Sequence, residues 1–339
     1  MEGNASRGKT KRVKPAWYKT IVKYQQPDRK KAIWQLANTF IPYSLLWAAM
    51  IWTIKSAWPY WITLALSIPA AGLLVRIFIF FHDCGHGSFF ASRRANTILG
   101  YICGILTFTP YEDWRHQHGM HHATVGDLDR RGKGDVFIMT VEEYKAAPWW
   151  RRLAYRFYEN PLVMFGLGPA YIFFISHRFA HKGAKKRQRY SVWITNLAIL
   201  TIIVIASATI GLRTYLLIQI PVMLMAATAG VWLFYVQHQF AGVYWSRHET
   251  WDPWRAATEG ASYYKLPKIL QWFSGNIGLH HIHHVRPRIP NYNLQQCYDE
   301  TPALQTVEPI TLRSSLRCVQ FDLYDEQQQK LVSFSALRS

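Results

Sequence analysis

The chain has 339 residues, 50% of them apolar and 17% charged, which excludes a small disulfide-stapled scaffold and a disordered chain and admits one large domain or about two smaller ones. Thirty-nine Lys and Arg against 20 Asp and Glu give a net charge of +19. The accompanying 15 Trp and 19 Tyr favour an anionic membrane surface over nucleic acid as its counterpart, because amphipathic rings collect at bilayer interfaces.

Residues 1–31 carry ten Lys or Arg and read as a basic, cytoplasmic N-terminus. Residues 32–81 then hold two uncharged runs, 36–54 and 58–75, joined by a connection whose one basic residue is Lys55. Each is close to the ~20 residues that cross a bilayer. The second run continues past Arg76 to Phe81, and an arginine there is expected to snorkel to the headgroups. The segment 82–190 contains two shorter apolar stretches, 98–111 and 162–175, suited to interfacial or half-inserted helices, and five more basic residues between His181 and Arg189. A second hairpin, 191–237, pairs the runs 191–212 and 214–237 about Arg213. The remainder, 238–339, reads as a soluble cap whose end, 311–334, alternates around Asp325 like a small β-hairpin. The positive-inside rule places both termini and the 82–190 segment in the cytoplasm. The expected fold is therefore an all-α, multi-pass protein of the cell membrane, with four transmembrane helices in two hairpins, a cytoplasmic helical cap and a small C-terminal β-hairpin. Cys84, Cys103, Cys297 and Cys318 form no CxxC pair, as suits a reducing compartment.

The chemistry lies in the histidines. His82 and His86 are spaced i,i+4; His118, His121 and His122, and again His280, His283 and His284, are spaced i, i+3, i+4. On a helix such triplets fall within an arc of about 100°, so each is expected to form a three-nitrogen claw. His238 closes the fourth span and joins them at the same surface. Asn276, one turn before His280, is a further candidate on that face. Without a metal, so many imidazoles would leave ring nitrogens unsatisfied at low dielectric. Nine nitrogens exceed what one ion takes, which implies two metals, and imidazole alone does not choose between Zn, Cu, Fe and Ni. Of the other histidines, His116 and His281 are expected beside the site or in solvent, and His177, His181 and His248 at the surface. Asp83 is the acid best placed to orient a ring N–H, ahead of Asp113, Asp127 and Asp129. A reversible metal transporter would need ionisable residues along its spans, and only Arg76 is present.

The runs HDCGH, WRHQHGMHH and HHIHH on two apolar hairpins resemble the membrane fatty acid desaturase family, over nearly the whole chain from about residue 33 to 334. FHDCGHGSFF, LDRRGKGDVF, YKLPKILQWFSGNIGLHHIHH and RPRIPNYNL are most similar to bacterial acyl-lipid desaturases of the Δ5 type, with Δ12 (omega-6) enzymes as near relatives. The resemblance implies an O2-dependent enzyme with two iron ions, held by His82, His86, His118, His121, His122, His238, His280, His283 and His284, that places a cis double bond in a membrane phospholipid acyl chain. A hydroxylase on the same scaffold is the alternative. It also implies a separate electron donor, a ferredoxin or flavodoxin, since the HPGG of a fused cytochrome b5 domain does not occur, and no nucleic-acid partner. One departure stands out: many relatives have Phe-Glu after the histidine equivalent to His238, where this chain has Phe240-Ala241-Gly242.

Overall fold

A computed structural model describes residues 14–132 and 134–338, so residues 1–13 of the basic N-terminus read from the sequence lie outside the described residues. Ten helices carry the argument. In chain order they are α1 (Arg29–Lys55), α2 (Tyr60–His86), α3 (Arg93–Leu106), α4 (Tyr111–Thr124), α5 (Trp149–Glu159), α6 (Lys186–Thr209), α7 (Leu212–His238), α8 (Lys268–Phe273), α9 (His280–Val285) and α10 (Asn291–Asp299).

Helix α2 is the axis of the molecule. It packs against α1, α3 and α7, and its buried Leu73, Leu74, Ile77, Phe80 and Phe81 form the centre of the main core with Ile218, Val222 and Met223 of α7. Its stop is local. Gly87 has φ +66°, a left-handed conformation that costs a residue without Cβ little, and its N–H caps the last turn. The helix therefore runs unbroken through His82 and His86, so both imidazoles stay on its axis.

Helices α2, α6 and α7 are long and apolar enough to cross a membrane. Of their most apolar stretches, 61% of α2, 33% of α7 and 17% of α6 is buried inside the protein, so α6 is the outermost. The first expected span lies in α1, which has 27 residues, about 40 Å at 1.5 Å each. Asn38, Thr39, Pro42, Tyr43 and Ser44 interrupt its apolar run and leave it less hydrophobic than the other three.

Two expectations need correction. Arg76 does not snorkel: it is 3% exposed, its Nε donates to the Thr39 hydroxyl at 3.0 Å, its guanidinium also bonds the Trp272 carbonyl, and it stacks 4.2 Å from the Trp272 ring. Partners within reach outweighed the pull of water. The reading of one small terminal hairpin also misses a third strand beside it and a second small sheet. Leu323–Asp325 pairs antiparallel with Lys330–Val332, and Met139–Thr140 adds a parallel strand; Tyr263–Lys265 pairs in parallel with Pro309–Thr311. The terminal hairpin is thus shorter than 311–334, because Leu312–Ser315 and Cys318–Gln320 are helical turns.

The seam between α3 and α4 depends on a missing side chain. A Cβ at Gly100 would lie 2.3 Å from the ring of Tyr111, which is buried and whose hydroxyl donates to the Cys84 carbonyl at 2.7 Å. Gly100→Ala is expected to cost ~1–3 kcal/mol through overpacking. Gly119→Ala, where nothing lies within 4 Å, is expected to be neutral or to stabilise α4 by up to ~1 kcal/mol. Thermal unfolding of both variants in detergent checks the contrast.

Candidate metal centre

The histidines converge from four elements. His82 and His86 come from the last turns of α2, His118, His121 and His122 from α4, His238 from the end of α7, and His280, His283 and His284 from α9. All nine lie at one end of the bundle, in two groups within each of which the ligand atoms are no more than 4.8 Å apart: His82, His86, His118, His122 and His283 in one, His121, His238, His280 and His284 in the other.

This grouping corrects the expectation of one claw per triplet. Residues i and i+4 differ by about 40° around a helix, so His118 and His122 stay together, as do His280 and His284. Residue i+3 falls about 60° to the other side. His121 therefore joins the α9 pair, and His283 joins the α4 pair. Helices α4 and α9 each give two histidines to one group and one to the other.

The nitrogens turn inward. In the five-histidine group Nε2 of His118 lies 3.0 Å from that of His86 and 3.1 Å from that of His122, which lies 3.0 Å from that of His283. In the four-histidine group Nε2 of His238 lies 3.2 Å from that of His121 and 3.0 Å from that of His280, which lies 3.1 Å from that of His284. These chains cannot satisfy themselves: a ring nitrogen has either one N–H or one lone pair, yet His118, His122, His238 and His280 each face two neighbours. A shared cation resolves the conflict. Two metal–nitrogen bonds of about 2.1 Å set at right angles put their nitrogens about 3.0 Å apart, whereas tetrahedral bonds put them about 3.4 Å apart. The observed spacings are short enough for neighbouring nitrogens to share one ion.

Outer contacts fix the tautomers. With His82 Nδ1 donating to Asp83 Oδ1 at 3.2 Å, its Nε2 is left buried and without a protein partner, ready for a metal. Asp83 Oδ2 in turn accepts from the backbone and side-chain N–H groups of Asn291 at 2.7 and 2.9 Å. His238 Nδ1 donates to the Gly260 carbonyl at 3.0 Å. Trp114 stacks on His118 with ring centroids 4.4 Å apart, and Phe234 packs on His121 and His238. Burial is the first cause that holds His118, His121, His122, His280, His283 and His284 well below the ordinary imidazole pKa, and repulsion among their charged forms adds to it. At neutral pH they are uncharged, with lone pairs free to bind a cation.

The remaining candidates are placed as follows. Asn276 has φ +59° and its Nδ2 donates to the Asn291 carbonyl at 3.1 Å. Asp113 binds His181, Asp127 binds His248 and Arg130, and Asp129 binds Arg247, so among these acids the histidine partner within the site is Asp83. His281 is buried, its Nε2 donating to the Leu304 carbonyl at 3.1 Å, and its pKa is lowered to about 4. Sequence reasoning missed Asn291, which is 208 positions from Asp83 and leaves no local signal. It also missed Gln239, fully buried beside His238 with both amide atoms unpartnered in a cavity of about 10 Å³, room for about one water. Ala241 and Gly242 lie exposed in a turn, Gly242 at φ +82°.

The fatty acid desaturase family model matches residues 56–308, which include all nine histidines. The chain belongs to the fatty acid desaturase family. It is 47% identical to a fatty acid desaturase of Bacillus subtilis over 320 residues, 94% of this chain and 90% of that one. More distant similarities include an sn-1 oleoyl-lipid 12-desaturase of Picosynechococcus, 25% identical across 71% of this chain and 69% of that one. An sn-1 acyl-lipid omega-3 desaturase (ferredoxin) of Synechocystis is 26% identical across 69% of this chain and 64% of that one. The chain is thus an oxidoreductase whose histidine groups are able to hold two metal ions.

The lowered imidazole pKa values set the sign of the pH dependence. Below about pH 6.5 the unfolded chain takes up protons that the folded chain refuses, so this contribution is complete above that value and is lost as the pH falls below it. Metal-free protein in detergent is expected to melt lower at about pH 5.5 than at about pH 7.5. Equal melting temperatures by scanning fluorimetry would show imidazoles that titrate as in water.

Proposed function

We propose that the chain is an O2-dependent acyl-lipid desaturase of the cell membrane that holds two iron ions and places a cis double bond in a phospholipid acyl chain, at Δ5 by its motif similarity. The observation that carries this reading is the inward convergence of nine imidazoles, six buried and three half-buried, in two groups at the end of an apolar helical bundle. The alternative regiochemistry is Δ12, which the oleoyl-lipid 12-desaturases among its relatives support.

In this reading α1 joins α2 as hairpin 32–81, α6 and α7 form hairpin 191–237, and the segments 82–190 and 238–339 form the cytoplasmic face that carries the site. The nine histidines are the ligands, with the Asn276 amide oxygen as a tenth. Iron supplies oxidising power, with O2 and electrons from a donor, sufficient to remove hydrogen from a methylene that has no acidic proton. The protein's own part is positioning. Asp83 and the Gly260 carbonyl hold His82 and His238 in register, and buried aromatic rings exclude water.

An apolar cavity of about 30 Å³ between α2 and α7, lined by Leu74, Phe78, Phe173 and Met223 among others, begins the chain's path. Phe78 stands one helical turn before His82, so this cavity lies on the membrane side of the five-histidine group. At about 0.8 kcal/mol per buried CH2, a slot that opened from this cavity along the chain would hold it by burial alone, and its depth would set the position of the double bond. The +19 charge suits an acidic ferredoxin or flavodoxin at the same face.

The deciding experiment is expression in a host that lacks the product, with mass-spectrometric location of the double bond in its lipids. A new cis double bond is expected; hydroxy acids alone would assign the scaffold to hydroxylation. His121→Ala and His283→Ala are each expected to abolish the product while leaving membrane insertion intact. Each removes a ligand from a different group, so iron analysis of the purified variants should show both losing metal. Activity retained by either would remove that residue from the ligand set.

A further inference from the structure

A recess of about 700 Å³ opens between α1, α8, α10 and the strand Tyr263–Lys265, on the α2 face that carries Arg76. Four cations line it, Lys31, Arg76, Lys265 and Lys268, and no carboxylate does among the described residues. Arg76 is the unusual member. A buried guanidinium is ordinarily matched by an anion, yet its partners are the Thr39 hydroxyl and the carbonyl and ring of Trp272, all uncharged. The Lys31 ammonium donates to neutral amides, Asn293 Oδ1 at 3.0 Å and Gln296 Oε1 at 3.4 Å, while its backbone N–H bonds Asp28 Oδ1 at 3.1 Å.

Two further features point to what occupies it. Gln35, which lines the recess and is 7% exposed, donates through Nε2 to Asn291 and keeps a buried Oε1 with no protein partner, an acceptor awaiting a donor. The rim includes two exposed indoles, Trp34 at 68% and Trp272 at 38% exposure, the mixture of indole and lysine side chains found at headgroup depth. A soluble anion would not need that rim.

We propose that this recess binds the phosphodiester headgroup of a membrane phospholipid. Lys31, Lys265 and Lys268 surround the phosphate above the Arg76 guanidinium, and Gln35 Oε1 accepts from a headgroup hydroxyl or ammonium. The site rests on the membrane-spanning reading above but not on iron chemistry. It also touches the metal centre mechanically, since Gln35 bonds Asn291, Asn291 bonds Asp83, and Asp83 orients His82.

Native mass spectrometry of the full chain in neutral detergent, with phosphatidylglycerol as probe and inorganic phosphate as competitor, tests it. The wild type is expected to retain one phosphatidylglycerol that inorganic phosphate does not displace at comparable concentration. The double variant Lys265→Gln with Lys268→Gln is expected to bind it roughly tenfold or more weakly, and Gln35→Leu to weaken it as well. Lys145→Gln with Lys330→Gln, which removes the same charge elsewhere, is expected to leave it unchanged. Equal retention by the recess variants, or equal loss by the control pair, would overturn the site, and displacement by inorganic phosphate on equal terms would overturn the lipid assignment. Metal content measured on the same samples separates the two readings: a recess variant that loses lipid but keeps metal has lost the recess alone.

Discussion

The structure depends on the angular difference between i+3 and i+4 on a helix. Two residues four apart project together and a third projects away, so α4 and α9 each hand a pair of imidazoles to one metal group and a single imidazole across to the other. Neither group is complete on any one helix. The bundle must bring α2, α4, α7 and α9 to the same end before any set of nitrogens closes, and much of the rest of the fold serves that meeting. Gly87 ends α2 just after its second ligand, Gly100 lets α3 pack close to α4, and the α7 axis delivers His238 to α9.

Burial does the electrostatic work. Imidazoles kept from water stay neutral, and neutral imidazoles are ligands where charged ones would repel both a cation and each other. The cost is a set of ring nitrogens that protein groups cannot satisfy in full, and the acceptors Asp83 Oδ1 and the Gly260 carbonyl settle which nitrogen of His82 and His238 faces inward. The site is therefore arranged for metal before metal arrives.

Much of this was legible in the chain itself, because periodicity and spacing are local properties. The apolar runs located α2, α6 and α7 to within a few residues, and the spacing of the histidines picked out the side chains that the fold gathers into two groups, including His238 at the end of α7. The allotment of ligands to groups was not legible: His283 crosses to the α4 pair because of how two helices face one another, which no single segment encodes. Asn291 and the burial of Arg76 escaped for the same reason, since each depends on partners far away in sequence, Asp83 for one and the Trp272 carbonyl for the other. The strand Met139–Thr140 and the sheet of Tyr263–Lys265 escaped because strands of two or three residues are too short to show alternation.

Helix α9 has only six residues, yet it contributes to both groups. Because both groups draw on this one turn, a rotation of α9 cannot displace its imidazoles in one group without displacing the imidazole it gives the other.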